Sequence, residues 1–320
     1  MRFDIPFTRS DTDRAMHVHA RLTPARQLRL FAESRFEAIR AIRVFREKYL
    51  KPAEDGLLSP SDRENALLTL YRRQVAVLQS VALIGGPVHF QMLAAAARTI
   101  FEVGVDIALI AKDKTNESAR RLDAFAQVER LRVSEKLVSF YANHKPPGTL
   151  DIALHQSIAN DVVLRNRAKA WVIEFWPNKK TPPEKHRPTH WSANGELRAR
   201  AKALDSTPDA RWEGRYVEVY PTLSWHIHGG AVGILGMSVE SFEAVAATAY
   251  GVIIDVMIDS FQALGQELQW AKGMPEWKDR LEFLSAVTTA WYTELLLKEN
   301  GEQPRFDFLE EDETRIWANA

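Results

Sequence analysis

Arg98, Glu102 and Asp106 recur every four residues inside Leu93-Ala-Ala-Ala-Ala-Arg-Thr-Ile-Phe-Glu-Val-Gly-Val-Asp, a segment that is otherwise almost wholly apolar. On a helix that spacing drifts only about 40° per step, so the three side chains form one polar stripe. An Arg preceding an acid by four residues is the weaker orientation, and such pairs contribute only about 0.2–0.5 kcal/mol on a helix surface. Taking ions out of water costs several kcal/mol each unless they are well partnered. Local helix stability therefore does not account for the stripe. Two readings remain, a structural network and a functional site in which Arg98 holds an anion and Glu102 orients it.

Tyr216, Tyr220, Ser224 and His228 form a second series four apart. One unbroken helix would align all four, but Pro221 predicts a break or kink there. A helix starting at Pro221 would still place Ser224 and His228 on one face. His228 titrates near neutrality in its unperturbed state and is the candidate acid/base. A Ser–His pair alone is not a triad, and no Gly-x-Ser-x-Gly elbow occurs. Gly229, Gly230, Gly233 and Gly236 match neither a dinucleotide fingerprint nor a phosphate loop.

Asp255 and Asp259 sit among apolar neighbours, and like charges at this spacing repel. They are read as answered by a basic side chain such as Arg98, by a metal, or by solvent. No Glu-x-x-His motif accompanies them, so neither metal nor cofactor is expected. Lys179, Lys180, Lys185, His186 and Arg187, close to Trp191, could touch phosphates. Arg14 and His19 match the Arg–His spacing of some small helical ribonucleases, but they fall outside a clear helical pattern.

The elements that must carry these residues read as helices almost throughout. Thr23-Pro24 caps a helix to about Leu50. Ser61-Asp-Arg-Glu64 has capping-box form and opens one to about Leu83. Gly85-Gly86-Pro87 starts the segment 87–112. Asn116 is read as the cap of the next helix, and 150–176 as one further helix. Shorter helices are expected near 195–205 and 208–220, and long ones over 238–270 and 275–299. The expectation is an all-α bundle of about eight helices. A Pro- and charge-rich loop interrupts it near 177–194. Residues 1–300 read as a single helical domain and 301–320 as an acidic tail.

Composition narrows the classes. The chain has 320 residues, 42 basic and 42 acidic side chains, 46% hydrophobic residues and no Cys. That is a folded chain without a whole-chain basic footprint for nucleic acid. Disulfides, thiolate metal sites and a Cys nucleophile are excluded, which fits a reducing cytoplasm. The N-terminus lacks the apolar core of a signal peptide. The uncharged stretch 219–239 holds Pro, His and four glycines and is rejected as a membrane span.

Together these residues resemble a known family. Arg98-Thr-Ile-Phe-Glu102 is followed by His190-Trp191-Ser192, then by Tyr216, Tyr220, Leu223-Ser224 and His228-Gly229. The order is similar to that of a bacterial helical family known as domain of unknown function five-six-seven-seven, over roughly residues 60–265. The resemblance carries over Arg98, Glu102, Trp191, Tyr220, Ser224 and His228. It implies an all-α fold and no established activity, with some relatives in phage-defence settings.

The function expected first is a semi-buried polar pocket of Arg98, Glu102, Ser224 and His228 that binds an anionic small molecule or nucleotide. Catalysis, if present, would fall to His228, Arg98 and Glu102, with Arg98, Trp191, Tyr220 and Ser224 binding the ligand. The alternatives are a metal-independent ribonuclease acting in phage defence and a non-catalytic homodimeric interaction protein.

Overall fold

The computed structural model describes residues 7–56, 60–144, 152–177, 186, 188–192, 195–205, 211–227, 238–268 and 277–303. The fold is all-α, with no strand among these residues. Eleven helices of eight residues or more replace the expected eight. They are α1 Arg9–His19, α2 Pro24–Phe45, α3 Asp62–Ile84, α4 Phe90–Lys112, α5 Glu117–His144 and α6 Ala153–Asn160. The remainder are α7 Val162–Phe175, α8 Leu197–Leu204, α9 Arg211–Ile227, α10 Val239–Glu267 and α11 Trp277–Glu299. Helix α2 runs on through a π turn, Arg46–Leu50, into Lys51–Asp55.

The expected caps form at Thr23, whose side chain accepts from the Arg26 amide, and at Ser61, which exchanges hydrogen bonds with Glu64. Asn116 is a correction. It takes φ 62°, a left-handed conformation that Asn tolerates. The capping falls instead to Asp113, which accepts from the Ser118 amide at 2.6 Å and the Thr115 amide at 2.8 Å. Desolvation opposes ionisation of Asp113, but hydrogen bonds from Thr115 and Ser118 outweigh it and hold the carboxyl well below the usual range.

Two further boundaries differ from the periodicity. Helix α1 was not expected, because its capping box is Thr8-x-x-Asp11 rather than the Glu form. Arg14 and His19 therefore do lie on a helix, but Arg14 pairs with Asp11 at 2.6 Å and His19 with the Tyr292 hydroxyl at 2.8 Å. The segment 150–176 splits into α6 and α7, since Asp161 accepts from the Leu164 amide and starts a new helix. Most of the Pro- and charge-rich stretch 177–194 lies outside the described residues, including Lys179, Lys180, Lys185 and Arg187.

Helices α4 and α10 form the centre. α10 packs on α4 and α2, while α3, α8 and α9 close the other sides of α4. The approach is close at Gly104, where an added Cβ would stand 2.2 Å from Val256 Cγ1. α10 is long and apolar enough to cross a membrane, and it spends that apolarity inside the protein, where 67% of its most apolar window is buried. Arg63 of α3 ties the far ends of α4 and α10 together. It donates to the Ala111 carbonyl at 2.9 Å and pairs with Glu267 at 2.6 Å. α6 and α7 both pack on α5, and α5 and α7 share a smaller apolar cluster of Val128, Leu131, Val172 and Phe175.

Candidate functional site

The α4 stripe faces α9, α8 and the turn at 188–192, and each of its charges is answered from one of them. Tyr220 of α9 lies across Arg98 and Glu102. Its hydroxyl accepts from Arg98 Nη2 at 2.7 Å and donates to Glu102 Oε1 at 2.5 Å. The direct Arg98–Glu102 separation is longer, 3.7 Å, so the phenol bridges the pair. The Arg98 guanidinium also stands over the Tyr220 ring, 4.7 Å from its centroid, and Tyr216 stacks on that ring at 5.1 Å. Desolvation and the Glu102 bond push the Tyr220 hydroxyl up to about 12, against the opposing pull of Arg98.

The cluster is open to solvent on one side. The Arg98 side chain is 20% exposed and Glu102 41%. Arg98 Nε is buried with no partner among the described residues. The arrangement is thus a fixed cation beside a solvent-reachable carboxylate, with an aromatic stack alongside.

Tyr220 reaches this position because α9 is unbroken. The break expected at Pro221 does not occur; Arg211–Ile227 is one helix with the proline inside. Pro at this place removes one hydrogen bond and crowds the preceding turn. Tertiary anchors offset that cost. Leu223 is buried, and Arg215 pairs with Asp259 at 2.6 Å. Tyr216, Tyr220 and Ser224 consequently share a face. The Ser224 hydroxyl, however, is committed to its own helix and donates to the Tyr220 carbonyl at 2.8 Å. His228 lies outside the described residues.

Asp106 has a different partner set. Arg200 of α8 donates to its Oδ1 at 2.6 Å, and His190 Nε2 stands 3.4 Å from Oδ2. Asp106 is 8% exposed and Arg200 6%, so this is a buried ion pair. His190 Nδ1 accepts from the Ser192 amide at 3.1 Å, with Ser192 Oγ also at 3.1 Å. Trp191 is buried, and its carbonyl accepts from Trp176 Nε1 at 3.2 Å. Trp191 packs against the His190 ring, 5.5 Å between centroids, and so lies at the Asp106 end of the stripe.

Asp255 and Asp259 are answered by arginines of α9, and Arg98 takes no part. Arg211 reaches Asp259 at 2.8 Å, and Arg215 reaches Asp255 at 3.7 Å. Among the described residues no group of three or more His, Asp or Glu could hold a metal ion.

Sequence reasoning missed Arg200. A signal was present, because Leu197, Arg200, Ala201 and Leu204 fall at helical spacing on one stripe, which places Arg200 on the inward face. The deduction that Arg98, Glu102 and Asp106 need partners in three dimensions holds, but two separate groups supply them.

No curated protein and no solved structure matches the chain. A family match covers residues 64–243, from the first turn of α3 into α10, and so includes both ends of the stripe, the 188–192 turn, Arg200 and Tyr220. The chain belongs to the family of unknown function DUF5677.

Proposed function

We propose that the Arg98–Glu102–Tyr220 cluster binds a small ligand that carries an anionic group together with a hydrogen-bond donor, and that a nucleotide fits best. The observation that carries this reading is the open ion pair on a core helix: Glu102 is 41% exposed, while Arg98 keeps a buried Nε without a partner among the described residues. Arg98 suits a phosphate or carboxylate because its planar fork donates in two directions. Glu102 disfavours a bare anion and accepts from a hydroxyl or amine. The Tyr216–Tyr220 stack offers a flat apolar surface to a base. Ser224 is not needed in this arrangement, since its hydroxyl is committed to its own helix.

The test is calorimetric titration with adenosine monophosphate and with inorganic phosphate. The nucleotide is expected to bind, and phosphate to bind at least about tenfold more weakly, a difference of about 1.4 kcal/mol. R98M is expected to abolish nucleotide binding while its circular dichroism stays that of the parent. An R98M chain that simply unfolds identifies Arg98 as structural and removes the reading, as does a parent protein that binds neither probe. RNA is the competing ligand for the same centre. Its binding would fall steeply with salt, because phosphate contacts release counterions.

A further inference from the structure

Away from the stripe, α3, α5 and α7 line a cavity of about 460 Å3, and we propose that this groove binds an aliphatic polyamine. It shares no residue with the Arg98 cluster, so it stands or falls independently of that site. α3 and α7 both pack on α5, which leaves a channel between them along the α5 surface. The lining residues recur at helical spacing, and each helix turns one stripe towards the groove.

The space exists because small side chains border it. Ala66 of α3 and Ala119 and Ala126 of α5 lie in the lining, where longer side chains would fill the volume. That volume falls within the range of small-molecule sites, about 300–1,000 Å3.

The charge of the groove is unbalanced. Asp62 of α3 and Asp123 of α5 both border it, and neither carboxylate has a hydrogen bond or ion pair with another described residue. One exposed carboxylate is satisfied by water, but two on the rim of one cavity repel and favour a cation between them. The N-terminal end of α3 offsets part of the Asp62 charge, whereas Asp123 sits in mid-helix without that help. Arg120, the one cation in the lining, is already committed. It pairs with Glu174 at 2.9 Å and stands over the Phe175 ring, 5.4 Å from its centroid.

The α7 wall is aromatic, with Trp171 half-buried and Phe175 buried. The face of an indole attracts cations, and the Trp171 ring already draws the exposed Arg167 guanidinium to 5.5 Å. Two unanswered carboxylates on separate helices, with alanine and aromatic surface between them, match ammonium groups joined by methylenes. A hard divalent metal fits poorly, because it takes six or more oxygen ligands. Among the described residues no group of three or more His, Asp or Glu could supply them. An anion would face both carboxylates.

The test is calorimetric titration of the full-length protein with spermidine at fixed ionic strength. The parent protein is expected to bind it. D62N and D123N should each weaken binding by at least about tenfold, as loss of a charge-assisted contact does. D13N, which removes an exposed carboxylate of α1, should bind as the parent does. A126L narrows the groove without altering any charge and should abolish binding, with circular dichroism unchanged because Ala126 is exposed. Magnesium at the concentration of spermidine should not displace it. A folded parent protein that binds no spermidine overturns the proposal. So does a loss in D13N equal to that in D123N, undiminished binding by A126L, or displacement by equimolar magnesium.

Discussion

Arg200 and Asp106, 94 residues apart in the chain, meet as a buried ion pair at 2.6 Å between α8 and the central helix α4. The pair fixes where the 188–192 turn attaches, because the other oxygen of Asp106 faces His190. Removing one partner leaves an uncompensated buried charge. D106A is expected to destabilise the protein by about 3–5 kcal/mol. The double variant D106L/R200M should recover much of that loss, because no charge is then left unpaired. Urea denaturation of the four members of this cycle measures the coupling; additive losses would show that the pair does not act as a unit.

Tyr220 ties α9 to the stripe through one hydroxyl. Y220F is expected to cost about 1.5 kcal/mol, the low end for hydrogen bonds to charged groups, since the site is partly solvated. The parent protein should also lose stability with rising pH in a way that Y220F does not. The folded pKa of Tyr220, about 12, lies above the unfolded value near 10. Unfolded chains then release the proton first, so the contribution is full below about pH 10 and is lost as pH rises towards 12. Equal alkaline profiles for the two proteins would contradict this.

Asp113 predicts the opposite window. Its folded pKa is depressed, so its contribution is present above the unfolded value of about 3.9 and is lost as pH falls. D113A should lower stability at pH 7 by about 1 kcal/mol, as loss of a helix N-cap does. The gap between D113A and the parent should shrink steadily on acidification below about pH 4. Thermal melts across that range read it directly.

Gly104 marks the closest approach of α4 to α10. Alanine would gain about 1 kcal/mol in helix propensity. Its Cβ would stand 2.2 Å from Val256 Cγ1, however, and Val256 is wholly buried and β-branched. The clash should win, and G104A is expected to be destabilised by about 1–3 kcal/mol. G104A/V256A should regain part of this. A G104A protein with a raised Tm would show that the helices can part without cost.

How much the sequence alone determined follows from the range of the forces involved. The all-α class, the caps at Thr23 and Ser61, and the buried character of α4 and α10 are set by neighbours within a few residues, and all could be read from the chain. So could the inference that Arg98, Glu102 and Asp106 need partners, because the cost of buried charge does not depend on where relief comes from. Tertiary structure alone decided which partners those are. Tyr220, Arg200 and His190 arrive from three elements between 84 and 122 residues downstream. The same long-range packing holds α9 intact across Pro221, against the local preference, and turns the Asp255–Asp259 pair towards Arg215 rather than Arg98. Local periodicity assigns a side chain to a face. Which charge meets it there depends on how whole helices pack, and no short window of sequence contains that information.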